Sequence, residues 1–433
     1  MSAFWCEHAV VLGAVEPAVR IEHRDGVITS VEVDAPQLPG DVVLPGLTLP
    51  GLANGHSHAF HRALRGRTHA DGGTFWTWRE TMYRVASALD PDNYFELATA
   101  VFAEMVLAGY TVVGEFHYVH HQPDGTPYPT GPAMENAIVA AADRAGIRLT
   151  LLDALYLGTG VGGLTLEPEQ SRFADASVAA WADRRDSVAV GPLARLGAAI
   201  HSVRAVPPAL IREVGARSVG LPLHAHVSEQ PAENSAALDD TGRTPTELFA
   251  PVLGPHFTAV HATYLTEADI RLLGESRSTV CFCPTTERDL ADGIGGAIAL
   301  RDSGVKLSLG SDQHAMIDPF EELRGLEMDE RLIAGERGRF SPPELLVAAT
   351  SNGYASLGWN GGAITTAAVC DLVVVGTSTP RTAGAALDQL WLAATAADVS
   401  TVIVGGVVRV DNGRHPLGDV GELLNAAIAR LQP

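Results

Sequence analysis

Eight short apolar runs, each followed by a stretch of helical periodicity, constrain the fold of this chain more than any other feature. The runs cover residues 52–58, 111–118, 148–156, 196–201, 221–228, 257–263, 279–283 and 305–311. A strand that is apolar at nearly every position must be buried on both faces, as in a parallel sheet covered by helices. Helical patterns lie between the runs, at 90–108, 134–145, 207–217, 267–275 and 298–303. The first opens on Asp90-Pro91 and stops at Gly109, residue types that cap and end a helix. Eight such units point to a (β/α)8 TIM-type barrel rather than an open sheet.

The two ends are patterned differently. Residues 1–49 carry short alternating strands, such as 18–22 and 27–33 around the turn Arg24-Asp25-Gly26. Residues 364–415 read the same way, with 372–375, 401–404 and 407–410 punctuated by Gly405-Gly406 and Asp411-Asn412-Gly413. Alternation marks strands with one face in a core. The expected organisation is a barrel over 50–362 and a small β-sandwich domain built from both chain ends, 1–49 and 363–433.

Composition then excludes partners. A formal charge of −21 argues against nucleic acid and anionic membrane surfaces. No apolar stretch has the length of a membrane span, and residues 1–11 carry Glu7 instead of a basic start and a long apolar run. The four cysteines are too scattered for a disulfide framework. A cytoplasmic protein is expected, and a homodimer, since barrels of this kind often pair.

Barrel enzymes work at the C-terminal ends of their strands. The first run ends His56-Ser57-His58, the fourth at His201, the fifth at His224-Ala225-His226-Val227-Ser228-Glu229, the sixth at His261, and the eighth at Ser311-Asp312. Alternate strand residues point the same way, so His56 and His58 can converge on one point, and imidazole with carboxylate is a zinc donor set. A lone His-x-His serves packing as often as metal. Ionisable groups gathered at several strand ends have no role as core filler, because burying them unpaired is costly. His226 is the better ligand of the fifth run because Glu229 follows three residues later, placing a proton-shuttling acid beside the ion. His224 is then an inner-barrel residue, Asp312 the last ligand and a base for water, and His261 a group that orients water or stabilises an oxyanion. Dinuclear sites on this barrel often use a carboxylated lysine at the end of strand four. The only lysine here, Lys306, begins the eighth run at the opposite end, so a lysine-bridged pair is excluded. One Zn2+ per chain is expected, with another divalent ion such as Fe2+ as the alternative.

These residues, in this order, resemble the mononuclear deaminase branch of the amidohydrolase superfamily. The segments at 50–60, 75–80 (Phe-Trp-Thr-Trp-Arg-Glu), 114–121 (Gly-Glu-Phe-His-Tyr-Val-His-His), 201–206 and 283–287 look like the formimidoylglutamate deiminase family, over about residues 45–320. That resemblance implies zinc on His56, His58, His226 and Asp312, and Glu229 and His261 around the hydrolytic water. It implies substrate contacts from Arg79, Tyr118, His201 and Arg204, with a small anionic substrate, N-formimino-L-glutamate. Arginine suits a dicarboxylate because its planar fork binds carboxylate with two hydrogen bonds. The chain departs from the family pattern at His61, where glutamine is usual and a substrate contact is implied, and at Arg288-Asp289, where small and amide residues are usual.

Blander readings stand beside these. Arg79 could be a surface or stacking residue. Cys281 and Cys283 alternate like ligands, but small buried thiols are commoner in a strand. His69, His120 and His121 are expected as solvated loop residues. Two other functions fit the same barrel: a mononuclear-zinc deaminase of an amino-heterocycle such as a purine or pyrimidine, and a catalytically inactive barrel used as a binding protein.

Overall fold

The computed structural model describes residues 2–69, 75–161 and 165–431. Eight parallel strands form one sheet: β5 (Leu52–Ser57), β6 (Tyr110–His117), β7 (Arg148–Leu155), β8 (Ala194–Ile200), β9 (Leu223–Val227), β10 (Phe257–His261), β11 (Thr279–Phe282) and β12 (Lys306–Leu309). They are hydrogen-bonded in that order, each to the next in sequence. The ends meet just beyond the strands, where a parallel bridge joins Ser57 to Asp312. All eight strands start and stop within two residues of the apolar runs; β12 ends two residues short of Ser311, where the chain leaves the ladder and brings Asp312 into the mouth.

The helices that cover the barrel begin and end where local chemistry dictates. Helix α1 spans Phe75–Ala88 and α2 spans Pro91–Ala108. Asp90 caps α2 by accepting from the N–H groups of Asp92 and Asn93, and Gly109 ends it in the left-handed conformation that glycine adopts without strain. The helix expected over 207–217 is shorter: Pro207 and Pro208 hold the chain in a single 3-10 turn, and α-helix runs only from Ile211 to Arg217. Among the described residues no helix is long and apolar enough to cross a membrane.

The chain ends join in a second sheet. Strands β1 (Ser2–Val11), β2 (Ala14–Arg24), β3 (Val27–Glu32) and β4 (Val42–Pro50) pair with β13 (Leu372–Val375), β14 (Val399–Val404) and β15 (Val407–Val410) in the order β15-β14-β13-β4-β1-β2-β3. Strand alternation serves two cores at once. Leu372 and Val374 enter a small core with Phe4, Ile21 and Ile403, while Val373 and Val375 face the main core of the barrel.

A buried polar latch ties this sheet to the end of the barrel remote from the mouth. Asp371, at the start of β13, accepts from Arg148 Nε at 2.7 Å and Nη2 at 3.1 Å, from Tyr354 Oη at 2.7 Å and from the Gly405 N–H at 2.6 Å. Gly51 lies against it, and a Cβ there would meet Thr111 Oγ1 at 2.4 Å and Tyr354 Oη at 2.6 Å. Removing one partner of a buried ion pair strands the other charge, which costs about 3–5 kcal/mol. Asp371→Ala is therefore expected to lower the thermal midpoint by several degrees with the far-ultraviolet dichroism of the folded protein unchanged. Calorimetry checks this, and an unchanged midpoint would show that the latch carries no stability.

Candidate metal centre and its cavity

The seam that closes the barrel also builds the candidate centre. Asp312 N–H donates to the His56 carbonyl at 3.0 Å, and His58 N–H donates to the Asp312 carbonyl at 3.1 Å. Those bonds bring Asp312 Oδ1 to 3.5 Å from His56 Nε2 and 3.4 Å from His58 Nε2. From β9, His226 Nε2 stands 3.2 Å from His56 Nε2. His261 Nε2, at the end of β10, approaches the other carboxylate oxygen, Asp312 Oδ2, at 3.8 Å. The approach of β12 to β5 depends on Gly310, where a Cβ would lie 2.8 Å from the backbone and Cβ of His56.

The protonation pattern suits a cation. His58 Nδ1 donates to the Phe116 carbonyl at 2.7 Å and His226 Nδ1 to the His201 carbonyl at 2.8 Å, so both rings turn an Nε2 lone pair to the centre. Burial lowers the pKa of His58, takes that of His226 well below its usual value, and takes His56 to about 3, so all three rings stay neutral. Burial alone would raise Asp312, but its hydrogen bond with His56 and the charge of His261 hold it well below the carboxylate range. His56 Nε2 and His226 Nε2 stand 3.2 Å apart. Ligands bonded to one ion at about 2.0–2.1 Å stand at about this separation. The residues present therefore fit a divalent ion held by His56, His58, His226 and Asp312.

His261 is the exception among the histidines. Burial pushes its pKa down, but the hydrogen bond to Glu287 at 3.2 Å and the charges of Glu229 and Asp312 outweigh burial and raise it to about 10. It is thus a donor toward the centre. Ser228, His261, Ala262, Asp312 and His314 all adopt left-handed backbone, with φ between 40° and 67°. Non-glycine residues rarely do so, and their concentration at one rim marks a place where geometry takes precedence over backbone comfort.

Behind the ligands runs a buried network that strand-end reading did not single out. Glu115 accepts from Ser57 Oγ and from the Ala59 N–H, both at 2.6 Å, and so grips the His56-Ser57-His58 turn from β6. Burial raises its carboxyl to about 8. Ser57 Oγ also meets His314 Nε2, whose Nδ1 meets Ser311 Oγ, which accepts from Asn54. The available signal was a carboxylate within an otherwise apolar strand.

A cavity of about 460 Å³ opens over the cluster, and Arg79, Tyr118, His201, Arg204, Glu229 and His61 all line it. Neither arginine stands alone. Arg204 Nη2 bonds Glu229 Oε2 at 2.9 Å with Glu233 3.9 Å away, and Arg79 Nη2 bonds Glu167 at 3.2 Å. Glu233 is fully buried beneath Glu229 and accepts its N–H at 3.2 Å. His61 Nε2 meets Tyr118 Oη at 2.9 Å. His224 points elsewhere, to the Ser356 carbonyl at 3.0 Å, and Cys281 and Cys283 pack with Val260. Lys306 is exposed at the start of β12. Arg288 and Asp289 lie outside the cavity, pairing with Asp329 and His69. The side chains of 75–77 in the Phe-Trp-Thr-Trp segment lie outside the described residues. His69 is exposed as expected, but His120 and His121 are buried. His120 bonds Glu135 at 2.8 Å and His121 nears Asp175 at 3.6 Å, in an ion network centred on Arg184 that the loop-like sequence concealed.

The amidohydrolase family matches residues 47–409. Formimidoylglutamate deiminase of Pseudomonas aeruginosa is 36% identical, over 96% of each chain. A crystal structure of an amidohydrolase from Brucella melitensis superposes with a TM-score of 0.91 at 30% identity, over the whole of both chains. A crystal structure of an adenosine deaminase from Xanthomonas campestris with bound zinc shares the fold, with a TM-score of 0.83 at 24% identity over 99% of this chain and 97% of that one.

The seam can be tested without touching a ligand. Gly310→Ala is expected to fold but to push His56 off the centre, cutting bound metal to a small fraction of the wild-type content in elemental analysis. Full metal retention would show that β5 and β12 can part without disturbing the cluster.

Proposed function

The chain belongs to the amidohydrolase family and hydrolyses non-peptide C–N bonds, and we propose that its reaction is the zinc-dependent deimination of N-formimino-L-glutamate to N-formyl-L-glutamate and ammonia, a step of histidine degradation. The observation that carries this reading is the pair of guanidinium groups, Arg79 and Arg204, on the wall of a cavity whose floor is formed by His58, His226 and Asp312 of the cluster. In a chain of net charge −21 an anionic ligand needs local cations, and these two supply them.

Zinc held by His56, His58, His226 and Asp312 would supply Lewis acidity, bringing the pKa of a water toward neutrality. Asp312 turns Oδ1 to the ligand histidines and Oδ2 toward His261, so Oδ2 is the oxygen that takes the proton of the attacking water. His261, held protonated by Glu287, orients that water and stabilises negative charge as it develops. Glu229 protonates the imino nitrogen as water adds to the formimino carbon; the proton taken by Asp312 then passes to the resulting amino group, the hydroxyl proton returns to Glu229, and the tetrahedral carbon collapses to the formyl group with loss of ammonia. Arg204 and Arg79 hold the substrate carboxylates, with Tyr118 and His201 completing the wall.

The Pseudomonas aeruginosa relative carries the proposed substrate in its name, and the zinc-bound adenosine deaminase of the same fold keeps a heterocycle deaminase as the rival reading. Steady-state ammonia release should be fast on N-formimino-L-glutamate and negligible on guanine, cytosine and adenosine; the opposite ranking would sink the proposal. Chelation should abolish turnover and zinc restore it, whereas a metal-free, inert preparation would favour a binding protein. Glu229→Gln should retain metal yet lose about 10²–10⁴ in kcat, the usual span for a general acid. Arg204→Ala should raise KM for the dicarboxylate, and an unchanged KM would move its carboxylate partner elsewhere.

A further inference from the structure

His61 stands where the chain departs from its family's usual glutamine, and it is buried in the cavity wall beside His58, with ring centres 4.6 Å apart. Its Nε2 lies 2.9 Å from Tyr118 Oη, and its Nδ1 is buried with no partner among the described residues. A proton on Nδ1 would be a buried N–H with no acceptor. A proton on Nε2 is donated to Tyr118 and leaves only a lone pair on Nδ1, the cheaper group to orphan.

Tyr118 Oη then receives a hydrogen bond and must direct its own hydrogen elsewhere. Apart from His61, its one partner among the described residues is Met82 Sδ at 3.9 Å, and a thioether is a weak acceptor. The phenol also lines the cavity. A carboxylate arriving there takes the hydrogen from a partner that held it loosely, so little is lost in exchange. An amino group or ring N–H of a heterocycle would instead meet a hydrogen already pointing at it.

We propose that His61 is a positioning residue that donates from Nε2 to Tyr118 and thereby sets the Tyr118 hydroxyl as a donor into the cavity, selecting a hydrogen-bond acceptor such as a carboxylate as ligand. Only the identity of that acceptor rests on the formiminoglutamate reading. A glutamine amide could donate to Tyr118 in the same way, which makes His61→Gln the conservative variant.

Neutron diffraction from crystals of the zinc-loaded enzyme reads the hydrogen directly. Density on His61 Nε2 and none on Nδ1 is expected; the reverse overturns the proposal whatever the substrate is. In steady-state kinetics on N-formimino-L-glutamate, His61→Leu and Tyr118→Phe should each raise KM about tenfold with kcat within about twofold, the loss of one hydrogen bond to a charged group. The double variant should be no worse than either single one, and His61→Gln should recover most of the loss. A wild-type KM in His61→Leu overturns the proposal, as does a collapse of kcat or of zinc content at unchanged KM, which would put His61 on the metal. If the wild type does not turn over this substrate, the substrate reading fails while the neutron result still decides the role of His61.

Discussion

The backbone bonds between His56, His58 and Asp312 hold the rest of the structure to its task. A (β/α)8 barrel needs its first and last strands to meet, and here they meet through only a few bonds at the mouth. The residues that make those bonds also carry the candidate ligands. Closure and ligand geometry are therefore one constraint: any shift between β5 and β12 moves Asp312 relative to both histidines of the first strand. Gly310 lets the strands approach, and Glu115 and Ser57 lock the turn from behind. The left-handed backbone at Asp312 and His314 is the local cost, which the Ser57–His314–Ser311–Asn54 chain of hydrogen bonds offsets.

Charge is distributed around this seam in layers. Three imidazoles are neutral through burial, one carboxylate among them keeps its charge, and a fourth imidazole is held protonated by Glu287 on its far side. Neutral rings are what a metal requires, since a protonated nitrogen has no lone pair to give. The protonated ring faces Asp312 from outside the ligand group, where a donor is useful and a ligand is not needed.

Much of this was legible in the sequence because it follows from periodicity. Buried parallel strands write themselves as apolar runs, and a barrel puts their last residues at one mouth, so His56, His58, His226, His261 and Asp312 could be collected from strand ends alone. The composite sheet was readable from the short strands between turn residues at both ends, although 372–375 is apolar throughout because the structure sends its odd and even residues into different cores. The partners of the supporting residues were not readable, because they are distant in sequence and no pattern joins them. Glu115 is 58 positions from Ser57, and Asp371 is 223 from Arg148. His120 and His121 failed for the same reason: their polar, Pro- and Gly-rich surroundings look solvated, and only the fold brings Glu135, Asp175 and Arg184 against them.

The Arg204–Glu229 contact has a meaning that neither residue has alone. On the proposed chemistry Glu229 must deliver a proton and Arg204 must hold a carboxylate, yet the two are bonded to each other at 2.9 Å. A guanidinium has five N–H donors and can serve two carboxylates, so substrate need not displace Glu229 to be held. Glu233, buried and 3.9 Å from Arg204 Nε, limits how far the guanidinium can swing. A substrate carboxylate bound to the remaining N–H groups would thus be tied through one rigid fork to the acid that acts on its own imino nitrogen. Binding and proton delivery then share a single side chain, and the spacing between substrate anion and reacting atom becomes a condition of turnover. A neutral heterocycle, which has no carboxylate to offer Arg204, would forgo that registration.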